Sequence, residues 1–303
     1  MKTLFTIFSL QFLFLVTSGA PSSTTKAGFY MPDSVQEVTL RYRSVMNLII
    51  LPVTINDSIH VNLVLDTGCR NLVLFGKRFS KLFELEPGKK IQFSGLGSGD
   101  PVTGDLSLGN KVSIREVAGE RIPVVIVPNQ NIFDSRSRID GVIGYDILIK
   151  FEVELNIVEQ LITFRPAFEA ELRADYTRIA IRIEDSRPII NSTVFFYGRD
   201  GQICDMMIDT GSCLGLLVKT SDVGKYPPGI WTNALGRGLN GRIEGIRAMT
   251  EKIMLEDLEI KKLQVGIIYS PWHNYASVGM EVIKEYSSIV LNYCKAYAGF
   301  KKA

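Results

Sequence analysis

Val64-Leu65-Asp66-Thr67-Gly68-Cys69 recurs 143 positions later as Met207-Ile208-Asp209-Thr210-Gly211-Ser212. Each copy is a short apolar run, read as a strand, that stops at Asp-Thr-Gly. One such tripeptide is an ordinary turn, in which the Asp side chain caps its own backbone. Two copies on matched strands are what a pair of carboxylates sharing a proton requires.

The repeat extends outward on both sides, and a long-period internal repeat sets the architecture. Val38–Tyr42, Leu48–Ile55 and His60–Leu65 precede the first turn, with Asn56-Asp57-Ser58 between the last two. Arg178–Ile183, Ile189–Tyr197 and Gln202–Ile208 precede the second, with Gly198-Arg199-Asp200-Gly201 in the same place. Alternating, β-branched stretches separated by such turn clusters predict hairpins. A glycine-rich stretch follows each turn: Gly95-Leu96-Gly97-Ser98-Gly99 through Gly104, then Leu235-Gly236-Arg237-Gly238 through Gly245. Further strands are predicted at Val112–Ile114 and Val124–Val127, and again at Ile253–Leu255 and Leu263–Tyr269.

A third shared block closes each half. Val142-Ile143-Gly144-Tyr145-Asp146-Ile147-Leu148 matches Ser277-Val278-Gly279-Met280-Glu281-Val282-Ile283, an apolar-Gly pair leading into one helical turn. A last strand follows in each, with Leu155-Asn156 and Leu291-Asn292 in step. Pro166 and a charged stretch place the boundary between 165 and 175. Long helical periodicity is absent after residue 20, so the class is all-β with two related barrel-like lobes, 35–165 and 176–300.

Residues 1–20 read as a signal peptide, with Lys2 ahead of an apolar core from Leu4 to Val16 and small residues Ser18-Gly19-Ala20 at the cleavage site. The core is too short to span a bilayer, and the expected location is secreted or periplasmic. The chain carries 34 Lys and Arg against 32 Asp and Glu. That balance gives no pull toward nucleic acid or anionic lipid. The four cysteines match no small disulfide scaffold. At most one bond is expected, with Cys69 and Cys213 as free buried thiols. Only about fifteen residues, with Lys26 their sole basic one, separate the leader from the first expected strand. The chain is therefore expected to fold directly into its final form.

Apolar-apolar-Asp-Thr-Gly, a glycine-rich hairpin, then apolar-Gly before a short helix resembles the aspartic proteases, in two copies over nearly the whole exported chain. The doubling is similar to the pepsin arrangement. The hairpin in both lobes, and the lack of Tyr between Phe93 and Val117, are more similar to retropepsins joined end to end. The resemblance implies a cleft between lobes with Asp66 and Asp209 catalytic at its floor. It implies bracing by Ile143-Gly144 and Val278-Gly279, and a flap formed by Gly95, Leu96, Gly97, Ser98 and Gly99. The expected substrate is an extended peptide or protein, cleaved by a monomer without metal or cofactor.

Residue chemistry leads the same way. Two adjacent carboxylates cannot both ionise cheaply, so they share a proton. One then takes a proton from water while the other donates to the amide oxygen. Thr67 and Thr210 can each bond the opposite loop's backbone, and Gly68 and Gly211 can bring N–H groups to the carboxylates. Cys69, where Ser212 stands in the second copy, is a weak donor. The charge is therefore expected to rest on Asp209 and the proton on Asp66. Gly236-Arg237-Gly238-Leu239-Asn240-Gly241 satisfies the dinucleotide glycine pattern without the βαβ context it needs. His60 and His273, the only histidines, form no metal-ligand spacing. The alternative from another class is a peptide-binding protein with the same cleft and no turnover.

Overall fold

The apolar runs on either side of each Asp-Thr-Gly turn form the central strands of two similar sheets. The structure is a computed structural model that describes residues 26–93, 95–129, 132–270 and 275–302. The proposed leader lies outside them, as do His273 and Ser94.

In the first lobe Leu48–Ile55 and Ile59–Leu65 form an antiparallel hairpin. Gly141–Ile143 lies parallel to the latter, Ile143 opposite Leu65, and antiparallel to Leu72–Phe75. Val117–Val127 runs parallel to Leu72–Phe75 and folds back on Val102–Ile114. The second lobe repeats the plan. Arg187–Phe195 pairs with Gln202–Ile208, and Tyr275–Val278 runs parallel to the latter. Leu216–Thr220 lies antiparallel to Tyr275–Val278 and parallel to Gln264–Tyr269. The short apolar strands read as continuous because both faces are covered.

The lobes share a six-stranded sheet. Phe151–Asn156 pairs with Tyr286–Asn292, Val153 opposite Leu291 and Leu155 opposite Ile289. Val38–Arg41 and Leu161–Pro166 extend it on one side, Tyr297–Lys302 and Thr177–Ala180 on the other. One apolar core runs from Leu40 and Ile49 through Leu63, Ile143 and Leu155 to Ile208, Val278 and Leu291. Its burial, favourable by roughly 25 cal/mol per Å², ties the two lobes together. The one-turn helices lie at Tyr145–Leu148 and Met280–Ile283. Among the described residues no helix is long and apolar enough to cross a membrane.

Two departures from the sequence reading concern the hairpins. The strands expected at 112–114 and 124–127 are the far ends of much longer ones, Val102–Ile114 and Val117–Val127. Asn110 interrupts the register there, and its buried amide donates to the carbonyls of Ser107 and Ile122. The second lobe has a hairpin of two nine-residue strands, Ile230–Gly238 with Gly241–Met249.

Candidate active site

Each Asp-Thr-Gly turn leaves the end of its central strand, anchored by the neighbouring apolar-Gly strand. The Asp66 N–H donates to Ile143 O and the Asp209 N–H to Val278 O, both at 2.8 Å. The Tyr145 N–H donates to Cys69 O and the Met280 N–H to Ser212 O, again both at 2.8 Å. A Cβ on Gly144 would lie 2.1 Å from Cys69 O and 2.2 Å from Asp66 O. Only glycine admits that approach, which is why the apolar-Gly pair precedes each helical turn.

The two turns are locked to each other through their threonines. Thr67 Oγ1 donates to Ile208 O at 2.6 Å and accepts from the Thr210 N–H at 3.0 Å. Thr210 Oγ1 donates to Leu65 O at 2.7 Å and accepts from the Thr67 N–H at 3.1 Å. Both hydroxyls are fully buried. The lock draws the aspartates together: a Cβ on Gly211 would lie 2.3 Å from Asp66 Cγ, and one on Gly68 would lie 3.8 Å from Asp209 Oδ1. Gly68 N–H donates to Asp66 Oδ1 at 2.8 Å, and Gly211 N–H to Asp209 Oδ1 at 3.0 Å.

Burial raises the pKa of both carboxyl groups. Asp209 is pushed up to about 8, by burial first and by the charge of Asp66 second. The pair therefore keeps a proton up to the neutral range. The side-chain asymmetry expected from Cys69 and Ser212 is not what the structure contains. The Cys69 thiol donates to Asn71 O at 3.0 Å, and Ser212 Oγ accepts from the Leu214 N–H at 3.3 Å. Each side chain closes its own turn, and backbone N–H groups of Gly211 and Ser212 supply the bonds that lower Asp209. At Asp209 burial and the Asp66 charge outweigh these bonds, and at Asp66 burial outweighs the bond from Gly68, so both carboxyl groups are raised. Cys213, expected to be buried, is exposed; all four cysteines are free.

The segment Gly95–Gly99 sits at the tip of the first-lobe hairpin that pairs Lys90–Phe93 with Val102–Ile114, and it meets the tip of the second-lobe hairpin between Gly238 and Gly241. Asn240 joins them: its Oδ1 accepts from the Gly97 N–H at 2.7 Å, while its Nδ2 donates to Gly97 O at 3.0 Å and to Gly99 O at 2.7 Å. Gly99 N–H donates to Asn240 O and Ser98 N–H to Arg242 O. The leucine beside each tip crosses over. Leu96 packs on Leu217, Leu235, Ile243 and Ile268 of the second lobe. Leu239 packs on the apolar layer of the first, which contains Val64, Val73 and Val142. The role of the second tip was missed in the sequence, although Leu96 and Leu239 are separated by the same 143 positions as the aspartates.

Two further residues were missed. Tyr293, at the end of the shared sheet, is buried with no hydrogen-bond partner for its hydroxyl. Burial and the charges of Asp66 and Asp209 hold its ionisation well above the ordinary value. Arg187 is near enough for its charge to lower Asp66 and Asp209. His60 lies outside the site, on Thr54, and no group of three or more metal-ligating side chains occurs among the described residues.

Comparisons with known proteins agree with this geometry. A family model described as aspartyl protease matches residues 51–147, which contain Asp66, the first hairpin and Gly144. The aspartic proteinase of Irpex lacteus superposes with a TM-score of 0.59 at 11% identity, covering 88% of this chain and 97% of that one. No curated protein sequence matches the chain. The fold is the all-β aspartic protease fold, and the first lobe carries that family's sequence pattern.

Proposed function

We propose that this chain, with the aspartic protease fold, is an exported aspartic endopeptidase that cleaves extended peptides by water held between Asp66 and Asp209. The reciprocal lock of Thr67 and Thr210 carries this reading, because it holds the turns of two carboxyl groups together, Asp209 buried and Asp66 half-buried, as a proton-sharing pair needs. The ionised carboxylate removes a proton from water as the oxygen attacks the peptide carbonyl carbon. The other, protonated, donates to the carbonyl oxygen, giving a neutral tetrahedral diol. Collapse breaks the C–N bond, with the proton returned to the leaving amine nitrogen.

The two hairpin tips act as a cover that excludes bulk water and pairs with an extended backbone, as exposed strand edges do. Both halves of the site come from one chain, which supports action as a monomer. The leader pattern in residues 1–20 supports export to the periplasm or the exterior. The test is incubation of the exported protein with a diverse peptide library, with and without a statine-type inhibitor. Internal cleavage that the inhibitor suppresses is expected. Cleavage that persists in a folded Asp66→Asn variant would overturn the mechanism, and tight peptide binding without cleavage would favour the binding-protein alternative.

A further inference from the structure

The two-fold relation between lobes fails at the ends of the cleft. On the face of the first sheet that Leu239 covers, Val64 lies between Ile50 and Val142. Leu48, two residues before Ile50, joins the same buried apolar layer. In the second lobe Met207 lies between Ile189 and Ser277. Two residues before Ile189, on the same face, is Arg187. Leu48, Val64 and Val142 thus correspond to Arg187, Met207 and Ser277. The turns leading into these strands correspond too, Met46-Asn47 with Asp185-Ser186, all four residues at positive φ. Likewise Arg70 stands four residues after Asp66, where Cys213 stands four after Asp209.

These substitutions converge at one end. Arg70 Nε, from the first lobe, donates to Ser186 Oγ of the second at 2.9 Å. Arg70 lies 3.7 Å from Asp185 and Arg187 lies 3.5 Å from the same carboxylate. Two guanidiniums from opposite lobes therefore share the Asp185 carboxylate, and Asp146, one oxygen of which is buried without a partner, is a second acid near enough to Arg70 for their charges to interact. Both contacts are longer than the roughly 2.7–2.9 Å of a committed charge-assisted bond. The arginine side chains remain 64% and 42% exposed, so N–H groups are free to take a second carboxylate. The corresponding residues for the other end, Cys213, Leu48, Met46 and Asn47, bring no charge.

We propose that the Arg70–Arg187 end of the cleft is a subsite for an acidic side chain of the substrate, while the opposite end takes apolar ones. The peptide is thereby read with a direction, carrying Glu or Asp on one fixed side of the scissile bond. The inference rests on the peptidase reading above and adds to it the class of substrate. That the Arg187 charge reaches both aspartates agrees with its place at the cleft wall. Met207, whose Cε lies 3.2 Å from a Cβ built on Gly68, spans the gap between that wall and the dyad.

The experiment uses peptide pairs, identical except for Glu or Gln at each of the three positions on either side of the scissile bond. On one side only, Glu is expected to raise kcat/KM about tenfold over Gln, mainly through KM, as a charge-assisted contact does. The preference should shrink with added salt and collapse in an Arg70→Ala, Arg187→Leu double variant, the latter substitution copying Leu48. Equal cleavage of Glu and Gln peptides by the wild type, or a preference that survives the double variant, would overturn the subsite while leaving the peptidase reading intact. Absence of any Asp66-dependent cleavage across the set would overturn both.

Discussion

Around the cleft floor the surroundings of Thr67 and Thr210 are interchangeable, each hydroxyl donating to a carbonyl of the other lobe and accepting an N–H from it. Two strand positions away, the lobes differ in chemical class, with Leu48 in one and Arg187 in the other, Val142 in one and Ser277 in the other. The floor must generate two carboxyl groups of opposite protonation from equivalent geometry, and a two-fold arrangement does that with the fewest parts. The walls meet a peptide, which has a direction. A duplicated chain can keep the floor and diversify the walls, which two copies of a single-lobe protein cannot.

The most severe way to break the symmetry is at the dyad. Asp66→Asn and Asp209→Asn each leave one carboxyl group, which cannot be acid and base at once. Each is expected to lower kcat by roughly 10²–10⁴-fold or more, with equal losses in the two variants. A loss confined to one aspartate would show that the lobes are not equivalent even at the floor.

Removing the lock tests the same equivalence by stability. Thr67→Ala leaves Ile208 O and the Thr210 N–H without their partner; Thr210→Ala leaves Leu65 O and the Thr67 N–H. Each costs about 2–4 kcal/mol, the penalty for two buried unsatisfied groups. Urea unfolding of the two variants should give matching shifts. Unequal shifts would mean that one hydroxyl carries the interface.

The dyad itself destabilises the fold as pH rises. The folded-state pKa of Asp209 is raised from 3.8 to about 8, so the proton it binds stabilises the native state fully at pH below the unfolded value. That contribution is lost as pH climbs through the folded value. Asp209→Asn has no proton to lose. The variant should therefore melt higher than the wild type near pH 8, and the gap should close by about pH 4, as followed by thermal unfolding across that range. Activity of the wild type should fall on the same alkaline approach, when the shared proton leaves. A gap that widens toward acid pH would reverse the sign of the electrostatics argued here.

The strands, lobes and aspartates were legible because local signals repeat: alternation, turn residues and Asp-Thr-Gly all occur twice. The long hairpins were only half legible. Gly104, Ser107 and Asn110 break the alternation of Val102–Ile114, and only the tertiary bonds of the Asn110 amide explain why the strand continues. Asn240 looked like part of a nucleotide-type glycine pattern, since nothing local shows that its amide faces Gly97 and Gly99. Arg187 and Tyr293 carry no motif at all; Arg187 is brought to the dyad by the pairing of Ile189 with Met207, and Tyr293 by the pairing of the strand that precedes it with residues over a hundred positions earlier.

The hairpin tips offer a smaller test. Asn240 contributes side-chain bonds to Gly97 and Gly99 that a glycine on the other side cannot return, so the closed cover depends on one residue of the second lobe. Asn240→Ala removes these while leaving Leu96 and Leu239 seated. Amide exchange at residues 95–99 should quicken by roughly tenfold, the worth of one to two net hydrogen bonds, with global stability little changed. Unchanged exchange would mean that the crossed leucines alone hold the cover shut.

The smallest expected effect is at the one place where the two turns differ in sequence. Cys69 and Ser212 occupy equivalent positions, and a serine in place of the thiol would be a better donor. Yet the thiol is engaged with Asn71 O, as Ser212 Oγ is engaged with the Leu214 N–H. Neither atom reaches a carboxylate, and the bonds that do come from Gly68, Gly211 and Ser212 backbone N–H groups, which the substitution leaves alone. Cys69→Ser should therefore leave the acid limb of the pH–rate profile where it was. A displacement toward lower pH would show that the hydroxyl turns inward onto Asp66, and that the side chain after each Asp-Thr-Gly, rather than its backbone, sets how the lobes divide the proton.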